Sequence, residues 1–508
     1  MSRFNTSAHQ LQQTSFWFAL VALLCLLATD LTITQANPWM ELQRMGQGLL
    51  SPNVSAWREL LTALANTLAF ALEGIALAAC AGFGLSLLYR FRLVRGFCAF
   101  LRAVHELFWA LILMQLFGLS PLTGVLAIAL PYAGTLAKIY GELFEETDPA
   151  PRQNLAPGKR AADSLSGFCY TTLPQALQPL LTYTSYRFEC AIRSSIVLGF
   201  IGLPTVGYYL ETALKEGHYS DAAAYLYLLF AVIITLRWWL QRRLVPFYLL
   251  AALLFLPPQS ALNWDATWEL SVRFFSQDIV PAPLRQSEPG WAAAVHNGAL
   301  WQWLQLLWQQ QLRPGLVDTV LLSQVALVCT ALVTLICFPL NSRRFFNKLI
   351  RGFGDGGLVI LRTTPEYLLA FVGLLIWGPS MLPAIIALAL HNGAIIAHLV
   401  GRHSNSVPLP ADSCRGLNRY FYEMLPRIYR QLLAFLFYRW EVIMRETAIL
   451  GMLGISTLGF YIDSAFEEFR FDRAIVLILA AAALNILVDQ IAHVTRRRLH
   501  LKTTPESL

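Results

Sequence analysis

The stretch at 186–209, YRFECAIRSSIVLGFIGLPTVGYY, returns at 438–461 as YRWEVIMRETAILGMLGISTLGFY. Ten of the 24 positions are identical, at a constant offset of 252 residues that carries Arg187 onto Arg439. Self-similarity of this kind marks a duplicated structural unit. The same offset relates Leu173-Pro174 to Leu425-Pro426 and Thr67 to Thr319. Leu101-Arg102-x3-Glu106 matches Leu361-Arg362-x3-Glu366, and Gly118-x-Ser120 matches Gly378-x-Ser380, at an offset of 260. The change of eight residues is expected in the loop after the fourth apolar run, where insertions are tolerated.

Of the 508 residues 56% are hydrophobic and 14% charged, with a mean hydropathy of +0.51. Soluble domains carry about a quarter charged residues, so soluble, disordered, collagen-like and disulfide-scaffold classes are excluded. Apolar runs fall near 16–36, 61–88, 104–118, 121–140, 175–201 and 222–241, then near 245–258, 316–340, 357–378, 380–400, 428–453 and 473–495. A helix needs ~20 apolar residues to cross a bilayer. The expected fold is an all-α polytopic membrane protein of about 12 transmembrane helices, in two six-helix repeats over 1–243 and 244–508. An even number of spans makes the repeats parallel, related by an axis along the membrane normal, with a central path between them. The first run has only Arg3 ahead of it and no small-residue cleavage site, so an uncleaved anchor is expected.

The net charge is +7. Basic clusters follow each even-numbered run: Arg90/Arg92/Arg95, Arg152/Lys159/Arg160, Arg237/Arg242/Arg243, Arg343/Arg344/Lys348/Arg351, Arg402/Arg415/Arg419/Arg427 and Arg496–Arg498. The positive-inside rule places these loops and both termini in the cytoplasm, which accounts for the basic balance without a nucleic-acid partner. The opposite side holds 37–60 and 259–315, where Trp291, Trp301, Trp303 and Trp308 suit the headgroup region. The eight cysteines form no CxxC pair and are expected as buried thiols.

Ionisable residues inside apolar runs are costly and usually paired. Glu189 and Arg193 lie four apart, as do Glu441 and Arg445; Arg102–Glu106 and Arg362–Glu366 repeat that spacing in reverse order. One reading makes these ion pairs that hold the bundle. The other makes Arg187, Arg193, Arg439 and Arg445, with Glu189 and Glu441 beside them, an electropositive route for an anion, since guanidinium forks suit phosphoryl and phosphonyl oxygens. Gly199, Gly202 and Gly207, and their copies Gly451, Gly454 and Gly459, permit either a bend at a gate or close helix packing. His391, His398 and His493 have no counterpart in the first copy and are expected as packing residues. No Ser-His-Asp grouping, HExxH or metal-ligand spacing stands out.

The pattern YRxExxxR…G…G…G in both copies resembles the permease subunit of phosphonate-type ABC importers. SPNVSAWRELL (51–61), LRAVHELFWALIL (101–113), GLSPLTGVLAIAL (118–130) and LPQALQPLLTYTSYRFE (173–189) extend the likeness over about 50–243, and more faintly over 316–499. The resemblance implies the type I importer permease (MetI-like) fold, two copies fused in tandem, with the translocation pathway between the halves. It implies a transport permease of the bacterial inner membrane, and no enzyme, for phosphonate or a related small phosphorus oxyanion. Two soluble ABC ATPase copies would carry ATP and Mg, this chain binding no cofactor. A periplasmic or extracellular substrate-binding protein would deliver the substrate, and membrane lipids would surround the bundle.

No G-x-x-x-x-G-K-[ST] occurs, because Gly158-Lys159 is followed by Arg160. Gly352-Phe353-Gly354-x-x-Gly357 enters an apolar helical run and follows no strand, so it is no nucleotide site. Coupling helices are expected near 159–172 and 411–424, with Arg160, Asp163, Gly167 and Pro174, then Arg415, Arg419 and Pro426, as the coupling residues. The prolines are expected to mark a turn into the following span. The family's loop has a Glu and a Gly where this chain has Leu155 and Ala161, and Val407 and Ser413, which implies altered docking. A secondary transporter that works without an ATPase is the alternative reading.

Overall fold

The protein is described by a computed structural model over residues 2–35, 37–153, 165–256, 263–286, 298–410, 412–499 and 501. The described residues contain helices and no strand. Helices of nine residues or more are numbered in order. α1 (Ser2–Ala28) and α2 (Pro38–Leu50) open the chain. α3 (Trp57–Leu87), α4 (Arg92–Ala103), α5 (Glu106–Phe117), α6 (Pro121–Glu145), α7 (Leu173–Val197), α8 (Val206–Lys215) and α9 (Tyr219–Trp239) follow. After α10 (Val245–Phe255), α11 (Trp264–Arg273) and α12 (Ala299–Leu307) the series recurs. α13 (Arg313–Cys337), α14 (Lys348–Thr363), α15 (Glu366–Trp377), α16 (Met381–Ser406), α17 (Leu425–Gly451), α18 (Leu458–Glu467) and α19 (Phe471–Arg498) repeat α3 to α9 in order, and α15 to α18 match α5 to α8 closely in length.

The likeness extends to the breaks between helices. α4 meets α5 at 93°, and α14 meets α15 at 93°. In the second series Pro365 drives Thr364 into extended backbone (φ −65°, ψ 122°) and ends α14. In the first, His105 stands in that place, extended at φ −66°, ψ 146°, and its Nδ1 accepts the Leu107 N–H at 3.1 Å. A proline in one copy and a side-chain cap in the other produce the same corner. Between α13 and α14 the chain inserts a short helical turn, Phe338–Asn341, and a longer connector than between α3 and α4. A second change of register therefore lies here, in addition to the one expected after the fourth run.

Three π-helical turns precede X-Pro pairs. Phe168–Thr172 leads into Leu173-Pro174, Trp308–Leu312 into Arg313-Pro314, and Arg419–Met424 into Leu425-Pro426. Leu173, Arg313 and Leu425 donate their N–H five residues back, to Phe168, Trp308 and Tyr420. Proline removes the next donor, and the widened turn carries the helix past it. Pro174 and Pro426 therefore do not mark the expected turn, and 165–201 runs as one helical arm.

Among the described residues, seven helices are long and apolar enough to cross a membrane, or up to ten spans if each of three bent pairs counts once. Of the twelve expected runs, 104–118, 175–201 and 357–378 count only as arms of bent pairs, and 245–258 and 428–453 fall outside the ten. α5 and α15 have 12 residues each, about 18 Å of helix against a hydrocarbon core of ~30 Å. Run 245–258 yields the 11-residue α10. The charge-rich α17 lies outside the ten.

Two compact units result, Arg44–Ser276 and Met1–Gln43 with Gln277–Leu508, where the sequence suggested 1–243 and 244–508. In the first unit α10 packs on α3 and α11 on α5, so the chain to Ser276 stays with the first copy. In the second unit α1 packs on α13. Its Phe18 ring meets Phe437 and Trp440 edge-on at 5.0 and 5.1 Å, and Tyr429 donates to Ser15. Past α1, Thr34 N–H bonds to Trp377 O at 3.0 Å and Met381 N–H to Asp30 O at 3.1 Å. All eight cysteines are free thiols, but only Cys98 is buried; Cys80, Cys169 and Cys414 are exposed. Trp301 and Trp308 are exposed, as an interfacial role requires, and Trp291 lies outside the described residues.

Candidate functional site

In the first unit the corner between α4 and α5 sets Glu106 at the first position of α5, where a carboxylate faces the positive end of the helix dipole. Glu106 is 9% exposed. Its Oε1 accepts from Ser194 Oγ of α7 at 2.7 Å, and Ser194 Oγ lies 3.0 Å from Tyr132 OH of α6. His105 Nε2 is 3.5 Å from Glu106 Oε2. One buried carboxylate is thus answered by a hydroxyl chain reaching across three helices.

The second unit rebuilds this place with different groups. Glu366 again opens α15, but Glu446 stands where Ser194 was, Asn392 replaces Tyr132 and His391 replaces Pro131. Asn392 Nδ2 donates to Glu446 Oε2 at 2.8 Å, and Arg439 Nη1 donates to Asn392 Oδ1 at 3.3 Å. His391 Nδ1 lies 2.9 Å from the Thr364 carbonyl, and its Nε2 3.8 Å from Glu366 Oε2.

Arg102 and Glu106 do not share a helix, since the 93° corner falls between them; the same holds for Arg362 and Glu366. On α7 the Arg187 guanidinium donates from Nε to Tyr183 OH at 2.8 Å and lies over the Tyr183 and Tyr186 rings at 5.0 and 5.6 Å, a cation–π arrangement. Glu189 is half-buried, and Arg193 Nη2 lies 3.6 Å from Cys190 Sγ. On α17, Glu441 and Arg445 are half-buried. Arg187 and Arg193 share one unit and Arg439 and Arg445 the other.

The repeated glycines pack helices and turn the chain. A Cβ on Gly199 would stand 2.5 Å from Gly207 C, and one on Gly451 2.8 Å from Gly459 Cα. Gly202 and Gly454 adopt φ of +93° and +82°, the left-handed region that glycine enters freely.

Of the coupling residues, Arg160 and Asp163 lie outside the described residues. Gly167 caps the first π-turn and accepts from Thr171 Oγ1 at 2.6 Å. Pro174 and Pro426 sit in the first turns of α7 and α17. Arg415 precedes a short turn, and Arg419 staples its loop together: Nε donates to Cys414 O at 2.6 Å, Nη1 to Arg344 O at 2.8 Å and Nη2 to Ser413 Oγ at 3.2 Å. The sequence reading passed over Tyr170 and Tyr422, which match at the 252 offset, one in each π-turn, and are 83% and 80% exposed. Their recurrence was the signal available.

This is a multi-pass helical membrane protein built on a repeated set of bent helix pairs. Residues 332–501 match the model of the family described as binding-protein-dependent transport system inner membrane component. That match lies wholly in the second half of the chain. The chain is similar to the phosphate-import permease protein PhnE of Mycolicibacterium smegmatis, 22% identical over 437 residues, covering 80% of this chain and 77% of that one. It is similar to the phosphite transport system permease protein PtxC of Stutzerimonas stutzeri, 27% identical over 44% of this chain and 84% of that one. The putative cryptic phosphonate transport system permease protein PhnE2 of Escherichia coli is 29% identical over 23% of this chain and 95% of its own length. No solved structure matches the chain.

Proposed function

We propose that this chain is the transmembrane component of an ABC importer for a small phosphorus oxyanion, a phosphonate, phosphite or phosphate, with two permease copies fused in one polypeptide. The observation that carries the reading is the span of the relatives. A whole permease such as PtxC is covered to 84% by 44% of this chain, and the helix series α3–α9 recurs as α13–α19 with the same 93° corner. Two soluble ATPase copies would hold ATP and Mg and dock on the π-turn segments around Tyr170 and Tyr422. A binding protein outside would deliver the anion. The chain would reside in the inner membrane with both termini in the cytoplasm, as its basic loops suggest. Arg187, Arg193, Arg439 and Arg445 would attract the anion without holding it tightly, since a transport site must also release.

Uptake of radiolabelled phosphite, methylphosphonate and phosphate by cells with and without the intact chain tests this reading. ATP-dependent uptake of at least one is expected, lost in Arg193→Gln and Arg445→Gln chains that still reach the membrane in normal amount. Unchanged uptake of all three on deletion of the chain would refute it.

A further inference from the structure

At one buried place the second unit differs from the first in charge. At matching positions the first unit sets a single carboxylate, Glu106, against a serine hydroxyl at 2.7 Å. The second sets two carboxylates, Glu366 and Glu446, together, with the His391 imidazole of α16 beside them where the first unit has His105 beside Glu106. Duplication supplies its own comparison: the hydroxyl that answered the carboxylate has become a second anion. His391 is 1% exposed and Glu366 9%, with Glu446 partly buried. Burying two carboxylates this close together is costly unless positive charge or a proton answers it.

One ligand atom from each of Glu366, His391 and Glu446 lies within 4.8 Å of the other two. Three atoms at such separations stand at most about 2.8 Å from a common centre, and zinc takes carboxylate oxygen and imidazole nitrogen at about 2.0–2.2 Å. A contraction of less than an ångström closes the set. The surroundings orient it. The Thr364 carbonyl, 2.9 Å from His391 Nδ1, takes the proton there and leaves the Nε2 lone pair facing the carboxylates, the usual support of a metal-bound histidine. Asn392 holds Glu446 Oε2 at 2.8 Å and is itself held by Arg439. Two carboxylates and a divalent cation sum to zero charge, which suits an apolar bundle.

We propose that Glu366, His391 and Glu446 bind one divalent transition-metal cation of the zinc or manganese class. The site belongs to the second unit alone and does not rest on the transport reading. His391, which the sequence suggested as a packing residue, is its nitrogen ligand.

The test uses the full chain, purified in mild detergent on a tag without histidines, stripped with chelator and titrated with Zn²⁺ or Mn²⁺ alone. One equivalent is expected to bind. Glu446→Ser, which installs the residue of the first unit, and His391→Gln should each weaken binding at least 100-fold, and Asn392→Ala about 10–100-fold. Binding by the intact chain no tighter than by Glu446→Ser overturns the proposal, as does a cluster that takes up protons and neither cation. Should the variants fail to fold, X-ray absorption on the zinc-loaded intact chain decides. An oxygen and nitrogen shell with one imidazole supports the site, and sulfur ligation or no imidazole refutes it.

Discussion

Valine in place of Thr67 or Thr319 keeps the shape of the side chain and removes one oxygen. Thr67 Oγ1 accepts the Val206 N–H at 2.9 Å and donates to Ala63 O at 2.8 Å. Thr319 Oγ1 accepts the Leu458 N–H at 2.9 Å and donates to Gly315 O at 2.7 Å. The threonines are 0% and 4% exposed. Val206 and Leu458 are the first residues of α8 and α18, so their N–H groups have no partner within their own helices. Each threonine therefore caps a helix from a neighbouring one. Stranding a buried donor costs about 1–3 kcal/mol, and losing a cap about 0.5–2 kcal/mol, so about 1–2 kcal/mol is expected at each site. For units of this size that is a drop of about 2–8 °C in unfolding midpoint. The sites share no partner residue, so the double variant should add. The assay is heating of the purified chain in detergent, followed by tryptophan fluorescence and by recovery on size exclusion. Thr62→Val is the control: Thr62 is exposed and bonds only within its own helix, to Arg58 O, and should shift stability by no more than ~0.5 kcal/mol. Equal losses at 67 and 319 are expected. Losses no larger than at Thr62, or at one site alone, would refute the claim that the two units share one internal scheme.

Three further outcomes follow from the same geometry. Gly207→Ala and Gly459→Ala should abolish recovery of folded chain, because the new Cβ falls on the Ile196 and Ala448 carbonyls; Gly84→Ala, with nothing within 4 Å, should be neutral or mildly stabilising by about 0.4–1 kcal/mol in the same assay. Ser194→Ala strips a donor from the buried Glu106 carboxylate and should cost about 1.5–3 kcal/mol in the thermal assay. Tyr170→Ala and Tyr422→Ala should leave unfolding within ~0.5 kcal/mol, yet release a bound ATPase at least tenfold faster in a dissociation assay.

The repeat was legible because identities recurred at offsets of 252 and 260 residues, and Thr67 with Thr319 shows that the matched residues perform matched work. The 93° corners were not. LRAVHELFWALIL reads as unbroken apolar helix, and only two extended residues are needed to turn it. Pro365 was a visible cue in the second copy; His105 acts through a side-chain cap that spacing does not reveal. The packing of α1 on the second unit left no trace either, since an apolar stripe does not name its partner. The Glu366–His391–Glu446 cluster was missed for a different reason. Weighing only residues present in both copies sets aside those that distinguish them, and Glu446 opposite Ser194 is such a difference. Tyr170 and Tyr422 were repeated, but aromatic side chains are too common in membrane chains to stand out without their exposure.

The central claim, two permeases in one chain driven by ATPases in trans, is tested most directly by stoichiometry. The tagged full chain would be purified from its native cell in mild detergent, and the intact complex weighed by native mass spectrometry. One copy of this chain with two copies of a soluble ATPase is the expected composition. Two copies of this chain with two ATPases would contradict the fusion of two permeases, and a folded chain that repeatedly emerges with no ATPase would contradict the importer itself.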